Sequence, residues 1–497
     1  MNNTPKTGRS WRLLRRILIA VALLVTLAAV LVTEENWRGK RAWESYKSEL
    51  EAKGERLDWQ AFVPPSVPND QNFFTAPIFT NMLDGRIAIV PYGNDGGPAF
   101  RRGASRSGYA VNLVYPTDLE AWQNYYRNQT NTDATARFPI TPQPQTPAKD
   151  VLLALSKYDS AVEGLRQASQ RAYANVPLNY ADGFNTGGTL LPYLATLKRC
   201  TQLLQLRAAA ELADGQSEKA LEDVRLSLYL SDSLRHSPFL ISYLVRIAIV
   251  AIDLQPIWEG LAEHQWSDEQ LATLEAELAK VDFLADYEFT MRGERAFAIA
   301  AIDDERRTRE LVSYTGTGYA TNKLTLAPSA FFYQNELAFA RMSQQWILPL
   351  VDTNSRVVSP EALQHVDAAV HAEMKHYSPY KAQALMTFPA LASAVKIFAR
   401  AQVTIDLARV ACALERYRLA HGQYPEVLDA LAPQFIGKLP HDIINGQPLH
   451  YRRTVNGNFM LYSVGWNEKD DGGQVVLTKN GSVDREKGDW VWQYPAK

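Results

Sequence analysis

Cysteine is nearly absent from this chain: Cys200 and Cys412 are its two thiols among 497 residues. That excludes a disulfide scaffold. Each lies in an apolar pattern of helical spacing, where a free Cys acts as a small hydrophobe. A single Cys200–Cys412 bridge is the other reading. Charge of one sign is lacking too, with 52 Lys plus Arg against 54 Asp plus Glu and a net charge of −2. Such a balance gives no global field for nucleic acid, and no nucleic-acid partner is expected. The 27 Gly and 26 Pro are near average usage, which excludes collagen-like and low-complexity architecture. No G-x-S-x-G elbow, P-loop or dinucleotide fingerprint occurs. What is present is core-forming material, 46% hydrophobic and 10% aromatic, too much for intrinsic disorder.

The apolar content is concentrated first at residues 17–33, ILIAVALLVTLAAVLVT, without charge, Gly or Pro. As a helix the run spans about 25 Å against a hydrocarbon core of ~30 Å. Leu13 and Leu14 extend it. Lys6, Arg9, Arg12, Arg15 and Arg16 precede it with no acid, and Glu34 and Glu35 follow it. The positive-inside rule therefore puts residues 1–16 in the cytoplasm and the rest outside. The expectation is an inner (cytoplasmic) membrane protein, single-pass, held in the lipid bilayer through 17–33, with the bulk periplasmic. A cleaved signal peptide has the same charge order, but its apolar stretch is 7–15 residues and ends small-x-small. Here Ala28-Ala29 leads into Val30-Leu31-Val32. Without the five N-terminal cations, 47 basic residues face 54 acids, a balance of −7 beyond Arg16.

Beyond the anchor, Trp37, Trp43, Tyr46 and Leu50 mark one stripe of a charged helix ending near Gly54, a stalk over 34–60. Residues 61–147 carry turn chemistry at Pro64-Pro65, Asn94–Gly97 and Pro139–Pro147, with short strands predicted at Arg86–Val90 and Tyr109–Tyr115. This stretch reads as a small irregular α+β region or a wrapping arm. From 148 to 390 the pattern is helical. Leu194, Leu197, Leu204 and Ala208 share a stripe ending at Asp214-Gly215, and Ser217 is expected to cap a second helix bearing Leu221, Val224 and Leu228. The small-residue spacing from Ala209 to Leu221 is similar to one tetratricopeptide-type hairpin, without a repeating period. Phe239–Leu254 is apolar on nearly every face, and Arg246 in its middle favours a buried core helix over a second membrane span. Ser267 and Gln270 form a capping box, flanked by a Trp266–Leu271 staple. A looser stretch from 312 to 360 surrounds an amphipathic segment, Phe331–Ile347. A long helix is expected from Leu391 to His421.

Three patterns bear on catalysis. His365, His371, Glu373 and His376 evoke a zinc helix, but that chemistry needs two His four apart. His371 and His376 diverge by about 140°, and His365 and His376 stand ~16 Å apart along the axis. Ser393-Ala-Val-Lys396 matches S-x-x-K, yet Lys6-Thr-Gly8 lies on the wrong side of the anchor to complete a penicillin-binding set. Asp303-Asp304-Glu305 fan out on a helix with Arg306, Arg307 and Arg309 as ion-pair partners, which reads as a solvated charged face.

The last hundred residues carry a succession of spaced elements. Leu407, Val410, Leu414 and Tyr417 lead to Gly422-Gln-Tyr424-Pro425; then come Leu439-Pro440, Gly446-Gln-Pro448, Tyr451, Ser463-Val-Gly465 and the acidic stretch Asn467–Gly473. Over residues 395–475 this resembles the globular head of type II secretion major pseudopilins. The resemblance implies a helix followed by a small β head at 391–497. It also implies calcium, with Asn467, Asp470 and Asp471 as oxygen donors suited to a hard cation. The prepilin cleavage site of that family is not part of the resemblance. The whole chain is similar to a family of uncharacterised bacterial single-pass membrane proteins, which implies an architecture and no activity.

The fold class expected is mainly α (α+β overall): a transmembrane helix, a helical-hairpin domain and a small pseudopilin-like head. No cofactor other than calcium is indicated. The leading functional expectation is a non-enzymatic envelope protein that contacts other envelope proteins. The rival is an envelope hydrolase in which Glu294, Asp303, Asp304 and His371 would have to converge.

Overall fold

The computed structural model describes residues 7–89, 98, 115–129, 137–180, 185–314, 319–376, 378–479, 483–492 and 494. It is 64% helix and 7% strand, so the protein is mainly helical with small sheets. The described helices run α1 (Thr7–Ala52), α2 (Pro77–Leu83), α3 (Leu119–Arg127), α4 (Pro147–Leu155), α5 (Asp159–Ser169), α6 (Asn185–Ala213) and α7 (Ser217–Asp232). They continue with α8 (Leu240–Ala262), α9 (Asp268–Ala279), α10 (Tyr287–Thr308), α11 (Ser329–Met342), α12 (Pro360–Lys375) and α13 (Ala382–His421). Two short antiparallel hairpins interrupt them, β1 (Glu310–Tyr314) with β2 (Tyr319–Lys323) and β3 (Val351–Asp352) with β4 (Val357–Val358). The C-terminal strands are β5 (His450–Arg453), β6 (Phe459–Ser463), β7 (Val475–Leu477), β8 (Val483–Gly488) and β9 (Trp490–Trp492). They form a three-stranded sheet in the order β5-β6-β9 and a separate β7-β8 pair.

Three of these helices are long and apolar enough to cross a membrane: Trp11–Ala52, Leu240–Ala262 and Pro379–His421. They differ in what covers them. The apolar window of the first is 0% buried, that of α8 is 89% buried and the third is 50% buried. Protein packing covers α8, as Arg246 shows. Its guanidinium is 2% exposed, 3.2 Å from Asp286 and stacked 4.6 Å over the Tyr243 ring.

The chain divides into two compact units. One comprises Met1–Ala61, Arg295–Gln345 and Val370–Phe388; the other comprises Phe62–Glu294, Trp346–Ala369 and Pro389–Lys497. In the first, the segment expected as a stalk is laid against α11. Trp43, Leu50, Leu57, Ile299, Leu337 and Ala340 make a small core, with Tyr46 and Tyr333 at its edge. Gly39 lets the helices approach, since a Cβ there would stand 3.2 Å from Ala330 Cα. Asn36 Oδ1 accepts the Ala330 N–H at 2.7 Å and so satisfies an otherwise open donor in the first turn of α11. Trp37 departs from the expected stripe. It is 60% exposed, with Arg41 over its ring at 5.3 Å.

The second unit is built on the α6–α7 hairpin, α8 and α9. Leu194, Leu197, Leu204 and Ala208 are all buried. So are Leu221, Val224 and Leu228 on α7. The capping box forms as read: Ser267 and Gln270 exchange bonds, with Trp266 and Leu271 buried beside them. Three local expectations are corrected. Gln216, not Ser217, occupies the cap of α7 and makes no side-chain cap bond; Ser217 is the first helical residue. No strand forms over Arg86–Ile89, because Ile87 N–H turns back to Asn81 O at 3.1 Å, closing the end of α2. Val90, Asn94–Gly97 and most of Tyr109–Tyr115 lie outside the described residues. Finally, α13 starts at Ala382 and carries Pro389 inside it. Burial of Ala384, Leu385 and Phe388 holds that first part helical despite the missing donor.

Both cysteines are free and buried. Cys200 Sγ lies 3.8 Å from Met82 Sδ, and burial pushes its thiol up to about 12, so it is inert packing material at neutral pH.

Candidate functional site

A polar cleft of about 720 Å³ lies in the second unit, between α5, α7 and α9. Its walls alternate in charge. Glu163 and Arg166 come from α5, Glu222 and Arg225 from α7, Glu277 and Lys280 from α9 and its end. Arg166 reaches Glu222 at 3.5 Å, Arg225 reaches Glu277 at 3.4 Å, and Lys280 reaches the same carboxylate at 2.6 Å. Leu226, Leu228, Tyr229 and Val281 supply apolar patches along it.

One wall is anchored by a carboxylate that the cleft does not expose. Asp223 is 0% exposed and accepts Arg207 Nε at 2.8 Å and Arg166 Nη2 at 2.6 Å. Its neighbours along α7 fix the reason: one face of the helix must enter the α6–α7 seam, and Asp223 is on that face with Ala220 and Ser227. Burial raises the Asp223 pKa above the usual carboxylate range, and the two guanidiniums oppose that rise.

Glu211, facing Arg207 at 3.7 Å, sits in the same seam. Burial first, and the Asp223 charge second, push its pKa up to about 8. A raised carboxyl pKa means that the folded chain holds the proton more tightly than the unfolded one, so stability falls as pH rises from about 4.5 through about 8. Gln mimics the protonated form. Glu211→Gln is expected to leave the melting temperature near wild type at pH 4.5 and to raise it at about pH 8. Melting curves across that range check it; an equal offset at both ends would show that Glu211 does not titrate there.

Arg235, also lining the cleft, reaches Asp286 at 3.3 Å, and Ser169 Oγ donates to Arg166 O at 2.7 Å. A partner's backbone and charged side chains can exchange with these pairs at modest cost, because exposed ion pairs are each worth about 0–1 kcal/mol.

The acidic stretch Asn467–Gly473 has a different character. Asn467 Nδ2 donates to Asp471 Oδ2 at 2.8 Å, while Asp470 Oδ1 accepts from Tyr462 OH at 3.0 Å and from Gly472 N–H at 2.9 Å. His450 Nδ1 is 3.4 Å from Asp470 Oδ2. Asp470 therefore turns toward the sheet, and an amide N–H rather than a lone pair faces Asp471. Among the described residues no group of three or more His, Cys, Asp or Glu is arranged to hold a metal.

Two carboxylates that sequence reasoning did not single out organise the C-terminal strands and their loops. Asp489 accepts Asp471 N–H at 3.2 Å and Gly473 N–H at 2.6 Å, tying the loop to the start of β9. Burial raises its pKa, against the pull of those bonds. Asp442, 0% exposed, accepts Ile444 N–H at 3.0 Å, Ser463 Oγ–H at 2.9 Å and Val464 N–H at 2.9 Å. Several of the motif residues act locally as well. Tyr424 OH donates to Glu415 at 2.8 Å and Tyr451 OH to Pro425 O at 2.7 Å. Gly465 takes φ +70° with Gly488 O only 2.5 Å from a would-be Cβ, so no side chain fits there. Burial alone would raise Glu415, yet bonds from His264, Arg418 and Tyr424 bring it down to about 2. The signal for Asp442 was its place two residues after Leu439-Pro440; nothing in the sequence marked Asp489 or Asp223.

The acids that bear on catalysis are bonded to neighbouring groups. Glu294 Oε2 accepts Leu240 N–H at 3.0 Å and caps α8; burial raises its pKa. Asp303 pairs with Arg306 and, at 3.2 Å, Arg307, while Asp304 is 3.5 Å from Arg307. Glu305 is buried and bonded by Gln383, so the charged face excludes one of its three acids. Arg309 instead binds Ala327 O at 2.7 Å and Ser329 Oγ at 2.8 Å. His365, His371 and His376 are exposed along and just beyond α12, and Glu373 binds Lys381 at 2.7 Å. Ser393 Oγ donates to Pro389 O at 2.8 Å, and Lys396 is 2.5 Å from Glu486. No protein-family profile, no curated protein and no solved structure matches this chain.

Proposed function

We propose that this protein is a single-pass anchored component of the bacterial cell envelope whose folded body, outside the cytoplasmic membrane, binds other proteins. The observation that carries the reading is α1 itself. Its apolar part is wholly uncovered by protein, while its continuation from Asn36 to Leu50 is built into a folded unit. Trp11 and Trp37, both exposed, stand about 39 Å apart along the helix, matching a bilayer with its headgroup layers at ~40–45 Å. Five cations at the N-terminal end orient it with that end inside.

The charge-alternating cleft supports recognition over catalysis, since its lining residues include no paired nucleophile and base. The pseudopilin-like head is a second surface of the same kind. The test has two arms. Alkaline phosphatase joined after residue 497 is expected to be active and its fusion after residue 16 inactive; the reverse overturns the topology. A photo-crosslinking side chain at Arg225, in the cleft, is expected to give discrete adducts in intact envelopes that charge reversal at Glu277 abolishes. Adducts no different from those at exposed Val455 would overturn the role of the cleft.

Calcium at Asn467, Asp470 and Asp471 belongs to this reading on the strength of the resemblance, and it requires the Asn467–Asp471 bond to open. If the ion binds, millimolar calcium raises the melting temperature of the detergent-solubilised chain, and Asp470→Ala or Asp471→Ala cancels the rise. An unchanged midpoint removes calcium from the reading.

A further inference from the structure

The first unit has a membrane-facing end that can be located from α1. Asn36 caps α11 at Ala330 and Arg341 stacks 5.0 Å over Tyr46, so α11 runs parallel to α1 with its first residue at the membrane end. Gly39, in contact with Ala330, is six residues beyond Thr33, about 9 Å along the axis. A headgroup layer is roughly 5–8 Å thick on each side. Ala330 thus stands at the outer edge of the headgroups, and the chain that enters α11 comes from the lipid side.

That entering chain is a tight turn. Ala327 N–H donates to Leu324 O at 3.0 Å, and Leu324 N–H donates to Arg309 O at 2.8 Å. Arg309 then clamps the turn from the other side by binding Ala327 O and Ser329 Oγ. α10 arrives antiparallel to α1: Arg295 is 2.6 Å from Glu55 at the far end, and Arg306 stacks 4.8 Å over Tyr333 nearer the membrane. The turn is therefore rigidly held, yet at its tip Leu326 is 97% exposed. Lys323, exposed as well, sits just before it. An apolar tip next to a cation, at headgroup height, is the chemistry of an interfacial contact.

We propose that the Leu324–Ala327 turn is a second membrane contact, with Leu326 seated at the headgroup–acyl boundary and Lys323 against lipid phosphates. The contact rests on the anchor reading above. It fixes the first unit against the bilayer surface at two points, the helix and the turn.

The test uses the full chain reconstituted in phosphatidylethanolamine–phosphatidylglycerol vesicles, with an environment-sensitive fluorophore on Leu24→Cys, Leu326→Cys or Val455→Cys. The native cysteines are buried and stay unlabelled in the folded chain. Leu24 lies within the anchor, and Val455 is fully exposed in the other unit. The expected result is blue-shifted emission, quenched severalfold by a lipid-borne quencher, at Leu24 and Leu326 but not at Val455. If Leu24 is quenched and Leu326 behaves like Val455, the turn does not touch lipid and the anchor stands. If Leu24 itself remains in water, the anchor reading fails and the turn's membrane contact with it.

Discussion

Asp223→Ala is expected to lower the stability of the second unit by about 3–5 kcal/mol, the usual cost of removing one partner of a buried ion pair. The carboxylate has no exposure and two guanidiniums converge on it at 2.6 and 2.8 Å. Arg166 retains Glu222 at 3.5 Å, and Arg207 retains Asp159 at 2.5 Å, which places the loss toward the lower end of that range. Denaturant unfolding of the solubilised chain measures it. A second consequence separates this cause from simple loss of packing. The Asp223 charge is one reason that Glu211 titrates high, so the variant is expected to bring Glu211 below its value of about 8 and flatten the pH dependence described above. Glu163→Ala, removing an exposed partner of Arg166 at 4.0 Å, is expected to cost less than about 1 kcal/mol. A D223A loss no larger than that would show that the seam does not depend on its buried charge.

Asp442→Ala is expected to be the most disruptive single change in the C-terminal region after α13. It strands two backbone N–H groups and one hydroxyl, and an unsatisfied buried donor costs about 1–3 kcal/mol. A loss of about 3 kcal/mol or more follows, since the three do not add fully. The effect should be local first: amide hydrogen exchange at Ile444 and Val464 rises before protection is lost in α6 and α7. Ser463→Ala deletes one of the three bonds and should cost about 1 kcal/mol. In the double variant the two losses should fall short of their sum, because Ser463 and Asp442 bond each other at 2.9 Å. Full additivity would show that Asp442 acts through something other than this network.

Much of the local structure was legible because it rests on neighbours in the chain. The Ser267–Gln270 box, the Trp266–Leu271 staple and the stop at Gly422 (φ +78°) depend on residues within a turn or two of one another. The same holds for the apolar stripe of α6 and the uninterrupted run at 17–33. The misreadings share a cause as well. Pro389 reads as a helix boundary until Phe388 and its neighbours are packed, and Trp37 reads as part of the buried stripe until α11 is placed beside α1. Local propensity is worth tenths of a kcal/mol to about 3 kcal/mol per residue, which burial of one aromatic side chain can override.

By itself, the sequence determined that the chain is mainly helical, that it carries an uncharged run of about 25 Å that flanking apolar residues extend toward the thickness of a bilayer core, and which charges flank that run. These are properties of composition and short period, and they survive without tertiary contacts. Only the tertiary structure decided which acids became structural. Asp223 gathers Arg207 and Arg166 across three helices, Asp489 meets the loop that starts at Asn467, and Asp442 meets Ser463 at the end of β6. It also decided that the long apolar helix α8 is covered by protein while the start of α1 is not. The physical reason is the same in each case. A carboxylate or an apolar face acquires its role from what removes it from water, and that partner lies far away along the chain.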